Sequence, residues 1–138
     1  MLVIPPAYDR PRMKVSELRC EMAGLAEGLD ARLLSVPDAK AALADMTAIR
    51  NIATTLVGRL GRRVAKAAEW EQAGFASEEA WLASVTGSTP GAAKDALETA
   101  RRLEEQDEVA DAANRGELSP EQVHAIADAC EADGDAQQ

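Results

Sequence analysis

The most concentrated chemistry in this chain is cationic. Arg59, Arg62, Arg63 and Lys66 are related by three- and four-residue steps with no acid between them. On a helix such steps bring side chains together along one side, an arrangement suited to clamping phosphates. Contact with about four phosphates would give binding a log-log salt slope of about −3 to −4. The competing reading is that these cations pair with acidic helices of the same chain or of a partner. A second basic set, Lys94, Arg101 and Arg102, shares its segment with Asp95 and Glu98. Glu98 and Arg102 stand in the favourable order for an intrahelical ion pair. That order favours a structural helix over one that reads bases. The two sets together are the candidate nucleic-acid contacts.

Other chemistries fail on inventory. The single histidine, His124, excludes a His-rich metal site, an HExxH pair and a His-His-Asn nuclease centre, and no Gly-rich phosphate loop or GxSxG elbow is present. From Glu104 to Asp135 the carboxylates are scattered, with Arg115 almost the only counter-charge. They read as a solvated face rather than an acid-base pair. Cys20 and Cys130 lie far apart with no CxxC partner, so they are expected to be buried thiols acting as small hydrophobes. The expectation is a chain with no catalytic centre, cofactor, metal or small-molecule substrate.

Helices must position these groups. Hydrophobic residues make up 46% of the 138 residues but aromatics only 3%, and alanine dominates the apolar set. This balance suits helices and starves sheets. Residues 1–13, with Pro5, Pro6 and Pro11, predict an extended arm. Val15, Leu18, Met22, Leu25 and Leu29 then form a heptad-like stripe on one helix face that needs a partner. Gly24 and Gly28 leave a smooth patch on that helix. Ser35, Pro37 and Asp38 read as the start of a long helix. Its apolar positions run through Leu43, Met46, Ile49, Ala53, Leu56, Leu60, Val64 and Ala67 to about Gln72, with a bend expected near Gly58 and Gly61 and a stop at Gly74.

The second half is more finely punctuated. Ser77 with Glu78 and Glu79 caps a short helix whose inner side should carry Trp81, Leu82 and Val85. Thr89 and Pro90 start the next, lined by Ala93, Ala96, Leu97, Ala100 and Leu103. The pair outlines a helix-turn-helix, in which the later helix would be the one entering a major groove. A helix over 107–114 ending at Gly116, and a last one begun by the Ser119-Pro120-Glu121-Gln122 capping box, complete the chain. The fold expected is all-α: a helical bundle with a long amphipathic helical hairpin and a helix-turn-helix-like C-terminal half. It spans residues 14–132 as one domain, with 133–138 a flexible acidic tail.

The ordered series Gly74-Phe75-Ala76-Ser77, Ala80-Trp81-Leu82, Val85-Thr86-Gly87-Ser88, Ala93, Ala96-Leu97, Ala100-Arg101, Leu103, then Gly116-Glu117-Leu118-Ser119-Pro120 and Val123-His124-Ala125-Ile126-Ala127, resembles the actinobacterial domain of unknown function 222. The similarity covers about residues 40–130. That helical region typically precedes an HNH endonuclease domain. Where the family often has Leu-Pro after the small-residue helix, this chain has Gln106-Asp107. No position matches the nuclease motif, so no catalytic residue carries over.

The resemblance implies a setting of DNA transactions, and a non-catalytic helical module that contacts DNA or positions a nuclease. The alternative is helix-mediated oligomerisation, such as a dimer through the long helices, or binding of a protein partner without nucleic acid. A net charge of −9 repels phosphate and anionic lipid at long range, so any DNA contact would be local. Neither a signal-peptide pattern nor an apolar run of about eighteen residues is present, which predicts a cytoplasmic protein with no membrane partner.

Overall fold

The computed structural model describes residues 10–136 and contains helices and no strand among them. The helices are α1 (Arg10–Gly28), α2 (Val36–Ala65), α3 (Glu69–Gln72), α4 (Glu78–Thr86), α5 (Pro90–Leu103), α6 (Asp107–Asn114) and α7 (Pro120–Ala136), with a 3-10 turn at Ala31–Leu33. The chain divides into two compact units, Met1–Lys40 and Ala41–Gln138.

In the first unit, α1 begins at Arg10 and includes Pro11, so the expected arm over 1–13 is helical from residue 10; residues 1–9 lie outside the described residues. The physical reason is that proline is harmless in a first turn, where its missing N–H would have had no helical partner. Asp30 organises the turn that follows. Its carboxylate accepts from the Arg32 backbone N–H and from the Arg32 guanidinium, each at 3.1 Å. Ser35 then accepts from the Asp38 N–H at 3.2 Å, the cap expected at the start of α2.

The second unit has a core built largely from alanine and leucine. Leu82 and Ala83 of α4 pack on Ala93 and Leu97 of α5, flanked by Trp81 and Ala96. Leu103, Val109, Ala113 and Val123 join α5, α6 and α7, flanked by Ala110 and Leu118. Complete burial of a leucine or valine contributes about 1.5–3 kcal/mol, and the small alanines let neighbouring backbones approach closely. Val85, expected on the inner side of α4, is instead 65% exposed. The pair that α4 buries is Leu82 and Ala83, so Val85 turns past the edge of the contact with α5.

Local signals place the helix ends. Ser77 accepts from the Ala80 N–H and Thr89 from the Ala92 N–H, both at 3.1 Å. Ser119 and Gln122 make the reciprocal capping box, at 2.9 and 3.2 Å, and Gly87 and Gly116 close α4 and α6 with positive φ. α2 ends earlier than the sequence predicts, at Ala65 rather than near Gln72. Ala68 adopts a left-handed conformation, φ 57°, and the Trp70 indole N–H donates to the Ala65 carbonyl at 3.2 Å. The same carbonyl also accepts from the Ala68 N–H at 3.0 Å, so the tightened turn and the ring together take the place of the next helical turn. Helix α7 runs to Ala136, so residues 133–136 of the expected tail are helical.

Within this unit α2 lies against the smaller helices through its glycines, and it runs as one helix through Gly58 and Gly61, where the sequence predicts a bend. A Cβ on Gly58 would sit 3.1 Å from the Ala96 carbonyl oxygen, and one on Gly61 2.9 Å from Leu82 Cδ1. At the other end of the contact the buried Asn51 donates its amide to the Gly116 carbonyl at 3.1 Å. Gly116 itself, φ 73°, lies so near α2 that a Cβ would fall 2.5 Å from the Ala48 carbonyl oxygen.

Candidate interaction surfaces

The arginines of the long helix do not form a free strip. Arg59 donates to Asn114 Oδ1 at 2.7 Å, and Arg62 makes a two-pronged contact with Glu104 at 2.8 and 3.3 Å. The Arg62 guanidinium holds the Glu104 carboxyl below the usual glutamate range. Arg63 and Lys66 point to solvent with no side-chain partner among the described residues. The reason for the split is rotational. Arg59 and Arg62 flank Gly58 and Gly61, the face that α2 turns toward α4–α7, while Arg63 falls on the far side.

The second basic set divides in the same way. Lys94 is exposed, but Arg101 and Arg102 both reach Glu131 on α7, and Arg102 also pairs with Asp128 at 3.1 Å. Arg102 keeps only 13% of its side chain exposed. Hydrogen bonds from Arg101 and Arg102 hold Glu131 below its ordinary value. The cations at the C-terminal end of α5 are therefore taken up by carboxylates of α7. Of the carboxylates that read as scattered in sequence, Glu104, Asp128 and Glu131 are the counter-ions of these arginines, and Arg115 similarly pairs with Glu117 at 2.8 Å.

His124 is half-buried, and its Nδ1 lies 2.9 Å from the Thr99 hydroxyl. Its Nε2 stands 4.0 Å from Asp95, beyond hydrogen-bond reach. These three residues edge an open groove of about 410 Å³ between α2, α5 and α7, floored by Gly58, Ala96, Ala100, Leu103 and Val123. Among the described residues no group of three or more His, Cys, Asp or Glu side chains could hold a metal ion. Both cysteines are exposed, contrary to the burial expected of them. Cys20 sits on α1, whose described side chains are exposed along its length. Cys130 follows Ala127 by one turn, beyond the apolar residues that α7 buries.

The largest uncompensated feature is apolar. Opposite the face bearing Asn51, Gly58, Gly61 and Ala65, helix α2 carries Met46, Ile49, Ala53, Leu56 and Leu60 at steps of three, four, three and four. This spacing is the seam of a two-helix contact. Ile49, Leu56 and Leu60 are 42%, 43% and 58% exposed, with Leu43, Val57 and Val64 bare beside them. The stripe Val15, Leu18, Met22 and Leu25 on α1, with Leu29 just past its end, is likewise exposed. The sequence made these stripes visible through their period. That α2 has a second, small-residue face was carried only by Gly58, Gly61 and Ala65, of which the two glycines read at first as the place of a bend.

No described helix is long and apolar enough to cross a membrane. Compared with protein-family models, with curated proteins and with solved structures, the chain matches none.

Proposed function

We propose that this chain is a non-catalytic helical module whose work is assembly: helix α2 docks its outer apolar seam on another helix while its inner face holds the smaller helices. One observation carries the reading. A helix already packed on one side keeps a heptad-spaced row of Met46, Ile49, Leu56 and Leu60 on the other, and contiguous exposed apolar surface of this kind marks interaction sites. The pairing of Arg59, Arg62, Arg101 and Arg102 with groups of the same chain supports the same reading, since it leaves few cations for phosphates. The ordered residues from Gly74 to Ala127 support placing the module among HNH-endonuclease-like proteins. Light scattering at tens of micromolar tests the reading on the whole chain. An assembly that Leu60→Glu converts to monomer is expected, and a strictly monomeric wild type refutes it.

The second reading is contact with DNA, favoured by the exposure of Arg63, Lys66 and Lys94. Fluorescence anisotropy with duplex DNA at low salt separates the two. Binding that falls when Arg63 and Lys66 become alanine supports DNA contact, and no binding at 50 mM salt removes it.

A further inference from the structure

Resting on the assembly reading, we infer that the occupant of the α2 seam is the α2 helix of a second copy, running antiparallel about a two-fold axis between residues 54 and 55. Charge decides the direction. The C-terminal part of α2 and the residue after it carry Arg59, Arg62, Arg63 and Lys66, whereas the N-terminal part carries Asp38, Lys40, Asp45 and Arg50. A parallel pair would set Arg63 and Lys66 beside the same cations of the partner, and like charges flanking a seam oppose pairing. An antiparallel pair sets the cationic end against the neutral one.

One register satisfies the seam and the charges together. With Ala53 opposite the partner's Leu56, Ile49 meets the partner's Leu60 and Met46 meets the partner's Arg63, whose aliphatic stem can cover it. The residues flanking the seam then pair across it, the first two of the following pairs being complementary. Asp45 lies beside the partner's Lys66, Leu43 beside the partner's Val64, and Arg50 beside the partner's Val57. Asp45, Lys66, Leu43 and Val64 are all exposed in the single chain. The Lys66 N–H still donates to the Arg62 carbonyl at 3.1 Å, so this residue continues the helical path one position past Ala65 and keeps its place beside the seam. Two-fold symmetry repeats each pair, so both ends of about 30 Å of helix close with an Asp45–Lys66 contact. A seam shifted by one heptad keeps apolar layers but loses this ion pair.

The test uses the full chain. Asp45→Lys alone and Lys66→Asp alone each turn two attractive contacts into repulsive ones, and each is expected to raise the dimer dissociation constant on the order of tenfold. Combined in one chain, the two changes restore opposite charges, and affinity returns to within a few-fold of wild type. Independently, in a Cys20→Ser, Cys130→Ser background, chains bearing Ile49→Cys and chains bearing Leu60→Cys should form a mixed disulfide on oxidation. Neither should cross-link to itself, because like positions lie about 16 Å apart along the pair, beyond disulfide reach. A dimer that cross-links Ile49→Cys to itself, or one in which the double charge swap fails to restore affinity, overturns the antiparallel register and leaves assembly standing. A wild-type monomer at tens of micromolar overturns both.

Discussion

Replacing Gly116 with alanine should be among the most damaging single-methyl additions available in this protein. Two separate penalties act. At φ 73° a residue with a Cβ costs about 1–2 kcal/mol, of which about 0.4–1 kcal/mol is recovered because alanine narrows the unfolded ensemble. The added methyl would also lie 2.5 Å from the Ala48 carbonyl oxygen. Backbone cannot rotate away as a side-chain tip can, so α2 and the α6–α7 turn must separate, at about 1–3 kcal/mol for such overpacking. The net expectation is about 2–4 kcal/mol, more if separation strands the Asn51 amide, which is 5% exposed and bonded to the Gly116 carbonyl. Gly74→Ala is the matched control, since Gly74 has φ 90° and nothing within 4 Å of a built Cβ; only the conformational part remains, about 1 kcal/mol or less. Urea unfolding followed by fluorescence of Trp70 and Trp81, both in the second unit, measures each. Equal losses in the two variants would refute the close approach of α2 to Gly116.

Three further outcomes are expected. Ala68→Gly should stabilise the second unit by about 0.5–1 kcal/mol in the same urea assay, because it relieves the left-handed alanine after α2. Ser119→Ala, which removes half of the capping box on α7, should cost about 1 kcal/mol, read as a lower thermal midpoint. Glu104 and Glu131 are held below the ordinary glutamate value by Arg62 and by Arg101 with Arg102, so the unfolded chain binds protons first as pH falls. Their stabilisation is complete above about pH 4.3–4.5 and is lost as pH drops through their lowered folded values. Glu131→Gln should flatten that acid-side slope in thermal melts between pH 5 and pH 3, and an unchanged slope would refute the contribution of the Glu131 pairs.

Most element boundaries of the second unit were legible in the sequence because their causes are local. A Ser77, Thr89 or Ser119 hydroxyl satisfies an N–H three residues away, and Gly87 and Gly116 supply the positive φ that closes α4 and α6. Residue type and short spacing carry such signals. The apolar stripes of α1 and α2 were legible for the same reason, since helical period fixes which residues share a face.

Sequence alone therefore determined the all-α class, the caps and the existence of the bare seams. Only tertiary structure decided which side of α2 faces the smaller helices. That choice made Gly58 and Gly61 sites of close approach. It gave Arg59 and Arg62 to Asn114 and Glu104, and it left Arg63 and Lys66 with the seam. It also joined Arg101 and Arg102 to carboxylates some thirty residues away. These outcomes depend on how rigid helices rotate and approach, and the partner of a long charged side chain is whatever that rotation brings within reach, a quantity no local spacing encodes.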